Sequence, residues 1–266
     1  MSDVEPKPSP VAIVTGAGSG IGRHTAMALV QRGFSVGLMG RTEQSLRETA
    51  SLAAQQHPST GTSDTPLGTS IVVVGSVSDE SAVEECFTKV VDSFGRLDVL
   101  FNNAGINLPS TPIEDTALDD WQSVVDTNLT GMFLCTRQAV RIMKSQQPRG
   151  GRIINNGSVS AQAPRPDSIA YTATKHAING LTKSTEVDGR KYDITCAQID
   201  IGNALTLMAS RMTSGVPQAD GTIRPEPTMD VSHVADTIAQ IALLPLDVSM
   251  PFTTIMASKM PLHGRG

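Results

Sequence analysis

The sequence predicts an α/β chain built on a single doubly wound parallel sheet with helices on both faces. Short apolar runs alternate with longer amphipathic stretches from residue 11 onward. A glycine-rich turn joins the first of those runs to the first amphipathic stretch. With 266 residues and 39% hydrophobic content, the chain can bury a full core and sits at the upper end of what one α/β domain uses.

VAIVT, from Val11, reads as the first strand, and an amphipathic stretch from about Gly20 to Gly33 reads as its helix. SVGLM and a helix from about Thr42 repeat the unit. IVVV, Ile71 to Val74, precedes a helix near Asp79 to Gly95, and DVLFN precedes a long one near Asp119 to Ser145. RIIN then leads to a helix over Ser168 to Gly189, which DITCAQI follows. Two segments break the rhythm. Gln55 to Ser70 is polar, with Pro, Gly, Ser and Thr but no apolar period, and reads as a surface insertion. Residues 203–229 carry methionines, prolines and two arginines after a strand end, which suits a substrate lid. Residues 1–10 are polar and proline-rich, as expected of a disordered arm, leaving 11–266 as one domain.

Composition excludes several classes. Net charge is −5 with Lys and Arg scattered, so no footprint for nucleic acid or an anionic membrane surface exists. Cys86, Cys135 and Cys196 are far apart and match no metal or disulfide spacing. No apolar run has membrane-spanning length, and the expectation is a cytoplasmic protein.

Ligands of such sheets bind at the carboxyl ends of the strands, so the loops there carry the chemistry. TGAGSGIG, Thr15 to Gly22, follows the first strand directly. Gly16 would permit a tight turn, Gly20 a close approach of backbone to a pyrophosphate, and Gly22 packing of the helix on the sheet. Ser19 and Ile21 lie in the same turn. The spacing is not GxGxxG, but the strand-to-helix context points to a dinucleotide. At the end of the second strand, where an acid would prefer a free ribose 2′-hydroxyl, Gly40 and Arg41 stand instead. A guanidinium there can pair with a 2′-phosphate, which favours NADP(H) with NAD(H) possible. The alternative is that Arg41 faces solvent and Glu43 takes the ribose.

The chain holds only two tyrosines, and one of them, Tyr171, lies four residues before Lys175 in YTATK. Residues at that interval share one face of a helix, so phenol and ammonium can occupy one site. A tyrosine with reference pKa of about 10 needs about 4 kcal/mol of preference for phenolate to work near neutrality. A positive charge about 4 Å away supplies roughly that much at an effective dielectric of about 20.

With TGAGSGIG, NNAG (Asn102 to Gly105), NLTG (Asn128 to Gly131), Ser158 and YTATK in that order, the sequence resembles the short-chain dehydrogenase/reductase family from about Val11 to Val248. The resemblance implies a Rossmann fold, a carbonyl or secondary-alcohol substrate, and a catalytic set of Asn128, Ser158, Tyr171 and Lys175. Tyr171 would be the proton donor, with Ser158 bonding the substrate oxygen, Asn128 holding a water and Lys175 also holding the nicotinamide ribose. Asn103, Ala104 and Gly105 would run beside the cofactor, and Ile201 and Thr206 would lie at the nicotinamide. Asn102 is expected to bond the sheet. Three departures stand out: Ile201-Gly202 replaces the family's Pro-Gly, Ser76 occupies an adenine-contacting Asp position, and the tail lacks a closing Gly-Gly. Arg165, Arg211 and Arg224 are candidate anion partners, with solvated surface the competing reading. The resemblance also implies a homodimer or homotetramer through the helices flanking the fifth strand. A dinucleotide-binding regulatory or scaffold protein without turnover is the rival function.

Overall fold

The computed structural model describes residues 9–55, 67–206, 214–218 and 220–262. Most of the N-terminal arm, most of the 55–70 insertion, and Arg211 lie outside them. Seven strands form one sheet in the order β3-β2-β1-β4-β5-β6-β9, every neighbour parallel. They are β1 (Val11–Thr15), β2 (Ser35–Gly40), β3 (Ser70–Val74), β4 (Val99–Asn102), β5 (Gly151–Asn156), β6 (Ile194–Gly202) and β9 (Phe252–Met256). A parallel sheet covered on both faces needs apolar residues on both sides of each strand, and all five residues of β1 and all nine of β6 are buried.

One face is covered by α1 (Gly20–Gln31), α2 (Glu43–Gln55) and α7 (Val231–Leu243), which contribute Leu29, Leu46 and Ile238 to the core. The opposite face carries α3 (Glu80–Phe94) and α5 (Gly131–Ser145), with Phe87, Val90 and Met143 inward. On that same side α6 (Ile169–Gly189) is bonded to the sheet, Asn155 Nδ2 donating to Thr182 Oγ1 at 3.0 Å. Helix ends follow local chemistry. Asp79 caps α3 by accepting from the Ala82 amide at 3.1 Å, and Gly95 closes it in the left-handed conformation at φ 83°.

The chain direction across the sheet reverses between β1 and β4, which opens a crevice at their carboxyl ends. Two readings of the sequence change here. The long helix expected over Asp119 to Ser145 is α4 (Leu118–Val125) and α5 joined by a π-turn at Asp126–Thr130. One extra residue per turn is invisible to a 3.6-residue apolar period. In the expected lid, β7 (Val216–Pro217) and β8 (Ile223–Arg224) form a short antiparallel hairpin. No helix among the described residues is long and apolar enough to cross a membrane.

Candidate active site

A cavity of about 610 Å³ opens at the crevice, within the range of small-molecule sites. It runs from the glycine turn and the end of β2 past the β4 and β5 loops to the first turn of α6 and the β6 end. Of the catalytic and cofactor-binding residues expected from the sequence, all but Gly22 and Asn128 line it.

Gly16 and Gly20 hold φ of +65° and +51°, backbone that side chains rarely adopt. Gly22 stands behind the wall, where a methyl would lie 2.3 Å from the Gly16 carbonyl oxygen and 2.5 Å from Asn103 Nδ2. Ser19 is extended and makes no side-chain cap, so the first amides of α1 keep no intrahelical acceptor beside the cavity. That cradle fits a pyrophosphate. Gly22→Ala should therefore force the Gly16 turn to move. Its dinucleotide Kd, read by isothermal titration calorimetry, should rise at least about ten-fold, the equivalent of about 1.4 kcal/mol; wild-type affinity would show that the turn has slack.

At the end of β2, Arg41 is exposed, lines the cavity, and has no ion-pair partner among the described residues. Glu43 does not line it, and its carboxylate is taken by Arg47 at 2.9 Å. Ser76 lines the cavity with its hydroxyl 2.9 Å from that of Ser78.

Helix α6 presents Tyr171 and Lys175 on one face, with Lys175 Nζ 5.5 Å from the Tyr171 ring centroid. Lys175 is 5% exposed and donates to the Asn156 carbonyl at 2.6 Å. Burial lowers its ammonium to about 8, while the Asp200 carboxylate pulls the other way. From Asn156 a chain of amides reaches the glycine turn: Asn156 Nδ2 donates to Asn103 Oδ1 at 3.0 Å, and Asn103 Nδ2 donates to the Thr15 carbonyl at 2.9 Å. Asn103 thus braces the cavity wall with its side chain. Asn102 bonds Thr136 and Asn155 inside the sheet, as expected.

Ser158 accepts from the Ser160 amide at 3.1 Å and lines the cavity beside Tyr171 and Lys175. Its own amide donates to Asp200 Oδ1 at 3.1 Å. Asp200 is buried and also takes Gln198 and Gln162 amides at 2.7 and 2.8 Å, so it fixes the floor under the serine. Sequence reasoning passed over it. The available signal was one acid, beside one amide, inside the largely apolar run AQIDIG. Asn128, within the π-turn, accepts from the Ile106 amide at 2.8 Å and donates to the Ile106 carbonyl at 2.9 Å and to Thr174 Oγ1 at 3.4 Å. With its side chain so committed, it clamps the β4 loop to α6.

Arg165 is neither solvated surface nor an available anion partner, because it pairs with the buried carboxylate of Glu226 and with Asn203 Oδ1 at 3.1 Å. Arg224 is exposed and bonded to Asp220 at 2.8 Å. Thr206 faces the glycine turn, 3.4 Å from where a methyl on Gly20 would stand.

A family model described as short chain dehydrogenase matches residues 10–216. A 3beta-hydroxysteroid dehydrogenase of Mediterraneibacter gnavus is 36% identical over 206 residues, 77% of this chain and 70% of that protein. Levodione reductase superposes with a TM-score of 0.81 at 26% identity, covering 94% of this chain and 97% of that one. The 3-ketoacyl-(acyl-carrier-protein) reductase of Brucella melitensis, solved with NADH, superposes at 0.80 and 21% identity, over 95% of this chain and 98% of that one.

Proposed function

The chain belongs to the short-chain dehydrogenase family, an oxidoreductase acting on carbonyl and CH–OH groups with a nicotinamide dinucleotide, and on that premise we propose that it reduces a ketone or 3-oxoacyl carbonyl with NADPH. The observation that carries the reading is the meeting of Ser158, Tyr171 and Lys175 in the cavity that begins at the glycine turn. When bound, the reduced nicotinamide supplies the hydride.

Tyr171 gives its phenolic proton to the substrate oxygen as charge builds there, and the Ser158 hydroxyl donates a hydrogen bond to the same oxygen. The buried Lys175 ammonium favours phenolate over phenol and so lowers the barrier to that transfer. Asn128 and Asp200 are positioning residues, the first acting through Thr174 and the Ile106 backbone and the second through the Ser158 amide. The glycine turn would hold the cofactor's phosphates, and Ile201 and Thr206, which line the same cavity, would flank its nicotinamide.

Arg41 supports NADPH as the preferred form, because a charge-assisted bond to a 2′-phosphate contributes about 1.5–3 kcal/mol, or roughly ten- to a hundred-fold. The wild type should show a higher kcat/KM with NADPH than with NADH. Arg41→Asp should shift that ratio toward NADH by at least about ten-fold, the lower end of that range. A wild-type preference for NADH, measured by absorbance at saturating substrate, would overturn the assignment.

A further inference from the structure

Resting on the carbonyl-reduction reading, we propose that this site takes uncharged carbonyl compounds, and that Glu226 determines this by holding the Arg165 guanidinium away from substrate. Arg165 lines the cavity close in sequence to Ser158 and Tyr171, where an arginine would ordinarily attract a carboxylate, sulfonate or phosphate on the substrate. Here it is bound inward. Glu226 is 5% exposed as a residue, and its Oε2 also accepts from Asn203 Nδ2 at 2.8 Å while its Oε1 accepts from Gln218 Nε2 at 3.1 Å.

The backbone fixes the network as firmly as the side chains do. Asn203 sits at φ 51°, a left-handed conformation that asparagine tolerates better than most residues. Its carbonyl accepts from the Met229 amide at 3.0 Å, and the Leu205 amide donates back to Met229 at 2.8 Å. Both ends of the segment that delivers Glu226 are therefore pinned beside Arg165. For the guanidinium to swing toward a substrate anion, it would leave a buried carboxylate without its charge partner, a costly exchange.

The remaining charges on this side of the cavity point the same way. Asp167 is exposed on the rim at φ 56°, and its carbonyl accepts from the Thr111 amide at 3.1 Å. Among the described residues, Arg165 and Glu226 cancel and Asp167 leaves one negative charge at the mouth. Arg41 stands at the far end, and the Lys175 ammonium, which donates to the Asn156 carbonyl, has the buried Asp200 carboxylate as its counter-charge. Leu108, Val216 and Pro217 supply apolar wall. A neutral ketone enters without electrostatic penalty, whereas an anionic one meets the Asp167 carboxylate at the mouth and finds the Arg165 guanidinium already held by Glu226.

The test is a matched series of 3-oxo acids, four to ten carbons long, and their methyl esters, assayed near pH 7 with NADPH and with NADH. The wild type should favour each ester over its acid in kcat/KM by about ten-fold, the equivalent of about 1.4 kcal/mol. Glu226→Gln keeps an acceptor for Arg165 but removes the balancing charge, and should narrow the ratio through a lower KM for the acids. Arg165→Met should widen it. Opposite movement by two members of one network is what a merely structural role would not produce. Acids turned over as well as or better than esters by the wild type, or both variants shifting the ratio in the same direction, would overturn the inference while leaving carbonyl reduction standing. Turnover of neither series with either cofactor would overturn both.

Discussion

Tyr171→Phe should lower carbonyl reduction by at least about a thousand-fold, within the range that general acid–base groups contribute. Dinucleotide affinity should stay within a few-fold of wild type. The phenyl ring keeps the volume that lines the cavity beside Lys175, so the wall retains its shape. What disappears is the only phenol among the cavity-lining residues. Single-turnover absorbance at saturating cofactor, paired with calorimetric titration of the same protein, separates the two effects. Turnover within ten-fold of wild type would remove Tyr171 from the role of proton donor; equal loss of binding and turnover would make it a structural residue.

Lys175→Met should also abolish reduction, but with an opposite and less expected effect on stability. The folded protein holds the Lys175 ammonium at about 8, against an ordinary lysine near 10.5, because burial disfavours the charge. Below pH 8 both folded and unfolded chains bind the proton, and folding bears the cost of burying it. Between about 8 and 10.5 the unfolded chain binds more protons than the folded one, so wild-type stability from this group rises with pH. The methionine variant carries no such cost, and at pH 7 its gain is offset by loss of the bond to the Asn156 carbonyl. Its stability relative to wild type should fall by about 2 kcal/mol between pH 7 and pH 9.5, the linkage expected of that shift. Urea melts of the two ligand-free proteins across that range measure the difference directly. A difference independent of pH would mean that Lys175 is not desolvated in the folded state.

The fold was legible because a parallel sheet writes itself into local sequence. VAIVT is apolar in four of its five residues because both faces of its strand are buried, ITCAQIDIG is mostly apolar for the same reason, and amphipathic helices separate such runs. The half-exposed strand β9 has a burial pattern too mixed to be read that way, and its place at the sheet edge came only with the coordinates. The π-turn was hidden for a related reason, since it preserves composition and alters only the hydrogen-bond register.

The site divides along the same line. From the sequence alone came the glycine turn, Arg41, Tyr171 and Lys175, groups whose chemistry is unusual enough, or whose interval on a helix is short enough, to be read without coordinates, while Ser158 came from the family resemblance. Only the tertiary structure decided what stands behind them: Asp200 under Ser158, Asn103 bridging Asn156 to Thr15, and Glu226 across from Arg165. Those partners lie tens of residues apart and use ordinary amides and carboxylates, residue types that solvated surfaces hold in abundance. Whether such a group is a solvated side chain or one half of a buried pair depends on which loops the fold brings together, and that information resides in long-range packing.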